Sequence, residues 1–302
     1  MSAKFIVIGG ANADIYGQIS IEQETTADSN PGFVSIHAGG VARNIAENLA
    51  HLGAKLEFIG HFGGDSFAEM LENSLTKAGA STSLCLRTES TSSDSYLAIH
   101  NKEGELISAV NNMSLVENIP ESFINTEPIV NAITSADLII IDGNLSAEII
   151  DQIFNTYGKS SMIAVDTVSV LKAKRFIPYL SKIDFIKCNR AEGSILVATD
   201  EDTSLDRTSK SLIQAGVGTA IISDSDAGFL VANADKSKHF SNSKIEVGNS
   251  SGAGDALFSG FLYAISNGKN INQASLFALR AAETALRFNG PVNPTISALG
   301  KF

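Results

Sequence analysis

Short apolar runs punctuate the chain at Phe5-Ile6-Val7-Ile8, Leu138 to Ile141, Met162 to Val165, Asp184 to Ile186 and Ala220 to Ile222. Runs of this length without polar alternation read as strands buried on both faces, the pattern of parallel sheets covered by helices. Between them the apolar period becomes helical. In residues 40–53, Val41, Ile45, Leu49 and Leu52 share one face and Gly53 is a stop signal. Residues 255–266 align Phe258, Leu262 and Ile265 in the same way, and residues 273–288 align Leu276, Leu279, Ala282 and Leu286. Strands alternating with helices predict an α/β fold with a doubly wound, mostly parallel sheet.

Two segments depart from this rhythm and alternate with period two. One starts at Ala13; the other runs from Ser95 to His100, turns at Lys102-Glu103-Gly104 and returns through Leu106 to Val110. Half-exposed antiparallel strands fit this alternation. They predict a small, discontinuous β lid made of about residues 13–37 and 92–112, rising from the C-terminal edge of the main sheet within a single domain spanning 1–302. Six prolines leave little room for a long linker.

The 302 residues are 44% hydrophobic and carry 22 basic against 33 acidic side chains, a net charge of −11. Duplex nucleic acid is a poor partner for such a surface, because its phosphates require Lys and Arg to displace counterions. No apolar stretch approaches the length of a membrane span. The apolar run after the first lysine is too short for a signal peptide, and the two cysteines, Cys85 and Cys188, form neither a C-x-x-C pair nor a disulfide framework. A cytoplasmic protein is expected.

The strongest chemical signal is the string SSGAGDA, residues 250–256, directly before a predicted helix. Gly252, Ala253 and Gly254 let backbone N–H groups converge at a helix N-terminus, where unpaired donors and the dipole favour an anion. Asp255 is then placed to take a proton from an attacking hydroxyl; it equally suits a plain N-terminal helix position favoured by the dipole. In residues 189–192, NRAE, the amide of Asn189 and the carboxylate of Glu192 suit a hydrated Mg²⁺ ion, or simply a helix start. Asp142 and Asp166 end apolar strands, where open α/β sheets bind ligands, although either could cap a following helix. Glycine pairs at Gly9-Gly10 and Gly39-Gly40, with Asn12, Asp14 and Asn44, supply close backbone approach and the polar groups that sugar hydroxyls need, or else serve tight turns and caps.

Other chemistries lack their patterns. There is no G-x-x-x-x-G-K-[ST] string, no dinucleotide fingerprint after the first strand, no H-x-x-x-H or H-E-x-x-H pair among the five histidines and no G-x-S-x-G elbow.

In order and spacing, these sites resemble the ribokinase-like (PfkB-type) carbohydrate kinases over nearly the whole chain. AGGVARN (38–44) with LAHLG (49–53) is similar to the family's N-terminal signature, and residues 60–75 with KAGA (77–80) to its next block. NRAE resembles its N-x-x-E magnesium motif, and GAGDALFSG (252–260) its C-terminal signature. The resemblance implies a Rossmann-like core, a β lid that often serves as a homodimer clasp, and transfer of the ATP γ-phosphoryl group to a hydroxyl of a small sugar or nucleoside. It makes Asp255 the base, with the Gly252, Ala253 and Gly254 amides around the phosphoryl group. Asn12, Asp14, Gly39, Gly40 and Asn44 grip the sugar, while Ser29, Asn30 and Asn112 of the lid cover the remainder. Asn189, Ser223, Ser225, Gly228, Ser251, Gly252 and Gly254 meet the nucleotide, and Glu192 with Asn189 holds Mg²⁺ through water; the family also admits a monovalent cation such as K⁺. Within the family, residues 26–32, 39–53 and 109–115 look most like its pseudouridine-phosphorylating branch.

Three positions depart from the family pattern. Ser225 stands in the usual glycine place beside Asp224 and Asp226, Cys188 replaces a proline before Asn189, and Ser250-Ser251 stands where a threonine is common. The acidic pair is expected to put negative charge beside a polyphosphate. A sensor that binds sugar or nucleoside without catalysis is the alternative these departures allow.

Overall fold

The computed structural model describes residues 3–22, 28–157, 161–242 and 251–300; Thr26 and Ser250 lie outside them. The chain opens with β1 (Lys4–Ile8), β2 (Asn12–Ile19), β3 (Gly32–Gly39), α1 (Val41–His51), β4 (Lys55–Ile59), β5 (His61–Gly63) and α2 (Ser66–Ala78). It continues through β6 (Leu86–Thr88), β7 (Ser95–His100), β8 (Leu106–Asn112), α3 (Ser114–Glu117), α4 (Glu121–Ile124), α5 (Glu127–Thr134), β9 (Leu138–Asp142) and α6 (Ala147–Gln152). Next come β10 (Met162–Asp166), α7 (Val170–Ala173), β11 (Phe185–Asn189), α8 (Arg190–Leu196), α9 (Leu205–Gln214) and β12 (Thr219–Ser223). The chain closes with β13 (Phe229–Asn233), β14 (Ser237–Phe240), α10 (Ala253–Ser266) and α11 (Ile271–Leu286).

The main sheet has eight strands in the order β14-β13-β12-β11-β10-β9-β1-β4. All pairs from β4 to β12 are parallel, and β12-β13-β14 are antiparallel. Continuous apolar runs are required because each central strand feeds two cores. Phe5, Val7, Leu138 and Ile140 pack with α1, α2, α10 and α11, whereas Ile6, Ile8, Ile139 and Ile141 pack with residues from α5, α6 and α9 on the other face. The edge strand β4 escapes the sequence pattern because Lys55 and Glu57 alternate with Leu56 and Phe58.

The expected face of the last helix is displaced only in part. In α11 the buried residues are Ala274, Ser275, Phe277, Ala278, Ala281, Ala282 and Ala285, so Ala282 lies inside as expected, Leu279 and Leu286 are half-buried and Leu276 is 44% exposed. Helix α11 closes tightly on α10: a Cβ on Gly260 would stand 2.7 Å from the Cβ of Ala281, so small residues, not leucines, occupy the contact.

A separate four-stranded sheet, β3-β2-β7-β8, stands apart from the main one. Its β2–β7 pair is parallel and the outer pairs antiparallel. Among the described residues, no helix is long and apolar enough to cross a membrane.

Candidate active site

Because β1, β9, β10, β11 and β12 are parallel, their C-terminal ends share one edge, which carries Asp142, Asp166, Asn189 and Ser223. Helix α10 reaches that edge packed between α1 and α11. Its N-cap, Gly252, is left-handed at φ 76°, and a Cβ there would fall 1.8 Å from the Pro291 carbonyl oxygen. The N-cap glycine has no side chain to offer and, among the described residues, no side chain caps this helix. The first-turn amides therefore remain available, with the helix dipole behind them, for an anionic ligand.

Asp255 sits in that first turn, only 6% exposed, and accepts a hydrogen bond from Nδ2 of Asn44 at 2.7 Å. Burial pushes its carboxyl up to about 7, with Asp166 adding to the rise and Lys187 and Asn44 opposing it. Lys187 Nζ lies 3.0 Å from Asp166 Oδ2. A Cβ on Gly254 would meet that same Nζ at 3.0 Å, so the helix turn lies directly over the lysine. Burial disfavours the Lys187 charge, but Asp166 and Asp255 more than offset it and hold its pKa above the ordinary lysine value.

A fully buried arginine joins the two halves of the site. Arg43 donates through Nε to the Gly39 carbonyl at 2.7 Å, through one terminal nitrogen to the Ala38 carbonyl at 2.6 Å, and also to Glu47 and to the Asn44 side-chain oxygen. With its oxygen held, the Asn44 amide must turn its NH₂ toward Asp255. On the other side of Arg43, Asn12 donates to Asp14 at 2.6 Å, and the Asp14 carboxylate packs where a Cβ on Gly39 would be. Burial raises the Asp14 pKa, and the Asn12 amide and Arg43 partly offset that. Gly40 has φ 96° and lies against the Gly10 carbonyl, where a Cβ would come within 2.5 Å. Asp142 is a cap: it accepts from the N–H groups of Gly10, Ala42 and Asn144 and fixes the entry to α1.

Asn12, Asp14, Gly39, Gly40 and Asn44 are thus gathered with Gly252, Ala253, Gly254 and Asp255. Ser29, Asn30 and Asn112 are not. Strand β3 pairs Gly39 with Asn12 at one end and Gly32 with Ile19 at the other, so Ser29 and Asn30 lie beyond the far end, roughly 20 Å along the ladder at about 3.3 Å per residue. Asn112 is exposed and opposite Ser95, whereas Asn111 opposes Tyr96 and shares the face of Asp14.

Asn189 and Glu192 form a reciprocal capping box at the start of α8. The buried Glu192 carboxylate accepts from Thr167 Oγ1 at 2.6 Å, from the Asn189 amide N–H at 2.9 Å and from Asn189 Nδ2 at 2.8 Å. With these bonds in place the pair fits a divalent cation through intervening water, not as a direct ligand set, and no cluster of three metal-binding side chains exists among the described residues. At the end of β12, Ser223 donates to the Cys188 carbonyl at 3.4 Å, and in the turn that follows Ser225 adopts φ 46° and Gly228 φ 103°. The left-handed turn at Ser225 is the conformation a glycine there would take without strain. The expectation of an uncompensated acidic pair needs correcting: Arg190 grips Asp224 with two hydrogen bonds, of 2.9 and 2.6 Å, and holds its carboxyl below the usual range. Only Asp226 is left exposed. Tyr16 of β2 connects the small sheet to the helix turn, bonding to both Asp14 and Ser251.

Residues 2–298 match the model of the pfkB family carbohydrate kinases. The chain belongs to this family. As a pfkB-family kinase it is a phosphotransferase with an alcohol group as acceptor, acting on a sugar or a nucleoside. An uncharacterized sugar kinase of Escherichia coli is 30% identical over 97% of this chain and 81% of its own length. The pseudouridine kinase of E. coli is 29% identical over 97% of this chain and 93% of its own. The fold is that of Arabidopsis thaliana ribokinase, solved with ribose and ATP, at a TM-score of 0.83, 20% identity and complete coverage of both chains.

The sequence pattern missed Arg43, Lys187 and Arg190. A charged residue inside the apolar run of β11 was a usable signal for Lys187. Nothing in the helical period marks Arg43, which becomes buried only because the small sheet returns its carbonyls to α1.

Proposed function

We propose that this kinase transfers the γ-phosphoryl group of ATP to the ribose 5′-hydroxyl of pseudouridine, giving pseudouridine 5′-phosphate and ADP. The observation that carries the chemistry is the Asn44–Asp255 hydrogen bond at the uncapped start of α10: a buried carboxylate beside free backbone donors, reached from the helix that also organises Asp14. The substrate assignment rests on the pseudouridine kinase among the relatives and on the likeness of residues 26–32, 39–53 and 109–115 to the pseudouridine-phosphorylating branch.

In this reading the reaction is an in-line displacement driven by positioning and charge stabilisation. Asn12, Asp14, Gly39, Gly40 and Asn44 orient the ribose, and Asp255 accepts the 5′-hydroxyl proton as that oxygen attacks. The amides of Gly252, Ala253 and Gly254 stabilise charge on the phosphoryl oxygens. Ser223, Ser225, Gly228 and Ser251 border the nucleotide. Glu192 and Asn189 would hold Mg²⁺ through water, and the ion would there supply neutralisation of phosphate charge. The small sheet closes over the acceptor and excludes water. Its outer face exposes Val34 (76%), Val110 (64%) and Ile36 (48%), an apolar surface that suits a second copy of the chain, as in a homodimer joined sheet to sheet.

The test is an ATP-consumption assay with Mg²⁺ across pseudouridine, uridine, adenosine, ribose and fructose, with products identified by mass. Selective turnover of pseudouridine is expected. Preference for another acceptor would overturn the substrate assignment and leave the family chemistry, and ATP binding without turnover of any acceptor would count against the catalytic reading.

A further inference from the structure

Lys187 has no part in the chemistry described so far, yet it lies in the sheet directly beneath the turn that carries the reacting carboxylate. It projects from β11, a central strand whose other side chains are apolar or spent on the α8 cap. Its side chain is 13% exposed, and its ammonium is 3.0 Å from Asp166, which is fully buried and whose Oδ2 has, among the described residues, no hydrogen-bond donor beyond this contact. Because Gly254 has no side chain, that ammonium can lie directly beneath the anion-binding turn, 3.0 Å from where a Cβ would stand.

We propose that the Asp166–Lys187 pair is a positioning device for the phosphoryl transfer: Lys187, anchored by Asp166 beneath Gly254, supports the turn and supplies the counter-charge against which Asp255 works. The inference rests on Asp255 being the base of the proposed reaction. The groups facing Asp255 are Asn44 and Arg43 from α1, Lys187 from β11 and Asp166 from β10, with Glu192 from α8 acting on Lys187 and Asp14 from β2 sharing the charge of Arg43. Lys187 and Asp166 act on Asp255 in opposite directions. Removing the lysine should therefore raise the pH at which Asp255 ionises, and removing the aspartate should lower it. Damage to packing alone has no reason to produce opposite signs.

The experiment is a carboxyl ¹³C titration of Asp255 in the intact protein, assigned by its loss in Asp255→Asn, for wild type, Lys187→Met, Asp166→Asn and the double variant. A rise of about 1 pH unit or more in Lys187→Met and a fall in Asp166→Asn are expected, with the double variant in between. The acid limb of kcat/KM for the best acceptor should move in the same senses. Lys187→Met leaves Asp166 buried without its partner; should it not fold, Asp166→Asn and the double variant, which buries no lone charge, still carry the comparison. An unchanged Asp255 titration, or shifts of the same sign in Lys187→Met and Asp166→Asn, would overturn the proposal. Opposed titration shifts with an unmoved kinetic limb would preserve the electrostatic coupling but remove Asp255 as the base, and with it this role for Lys187.

Discussion

The side-chain amide of Asn44 donates to the carboxylate of Asp255 across 211 residues of sequence, at 2.7 Å. It joins the first long helix of the core to the helix whose N-terminus faces the ligand edge, so the residues proposed to hold the sugar and the residue proposed to deprotonate it move as one unit. The amide can point only this way because Arg43 occupies its oxygen.

Asp255→Asn keeps the size and the Asn44 neighbour while removing the basic site. Turnover should fall about 10²-fold or more, as is typical for a lost general base, with ATP binding by calorimetry little changed. Near-normal turnover would show that Asp255 is not the base.

The raised Asp255 carboxyl, at about 7, sets two opposite pH trends. The basic form exists only above that value, so kcat/KM should decline about tenfold per unit as pH falls below it. Stability runs the other way. The unfolded chain releases this proton in the ordinary carboxylate range and the folded chain only near 7, so stability declines as pH rises between the two. Asp255→Asn should accordingly melt higher than wild type at pH 8, keep part of that advantage at pH 5 and converge with it only at about pH 4 and below, where the unfolded carboxyl is itself protonated. Parallel melting curves across that range would contradict the shift.

Glycines 252 and 254 should not behave alike. Gly252→Ala places a Cβ 1.8 Å from a backbone carbonyl in a left-handed conformation and should lower stability by more than about 1 kcal/mol, measured by denaturant unfolding. Gly254→Ala meets only the end of the Lys187 side chain, at 3.0 Å, and should fold while losing phosphate affinity.

Arg190→Ala frees the Asp224 charge at the loop proposed to border the nucleotide. The KM for ATP should rise about fivefold, the equivalent of about 1 kcal/mol for a partly exposed pair, while the KM of the acceptor stays put. Equal changes in both would place the loop away from the nucleotide.

If the small sheet joins two copies, Val34→Lys combined with Val110→Lys should convert a dimer to a monomer by sedimentation velocity. Both side chains lie on the exposed apolar face, so the substitutions bury no charge in the monomer.

How much of this was legible beforehand follows from which forces act locally. Apolar runs such as Leu138 to Ile141 announce central strands because parallel strands must bury both faces, and the glycines around Ala253 announce a helix start open to an anion because backbone freedom is a local property. Asp255, Asn189 and Glu192 were therefore visible as residues. What they do was not. That Glu192 is occupied by Thr167 and the Asn189 cap, that Arg190 neutralises Asp224, and that Ser29 and Asn30 lie at the far end of β3 from Asp14 all depend on strand register and on contacts between distant segments. The sequence by itself determined the layered α/β fold and the small set of groups capable of the chemistry. Only the tertiary structure decided their charge states and partners, because burial and pairing across more than a hundred residues, as between Asn44 and Asp255, are set by how the helices and sheets close on one another and by nothing in either segment alone.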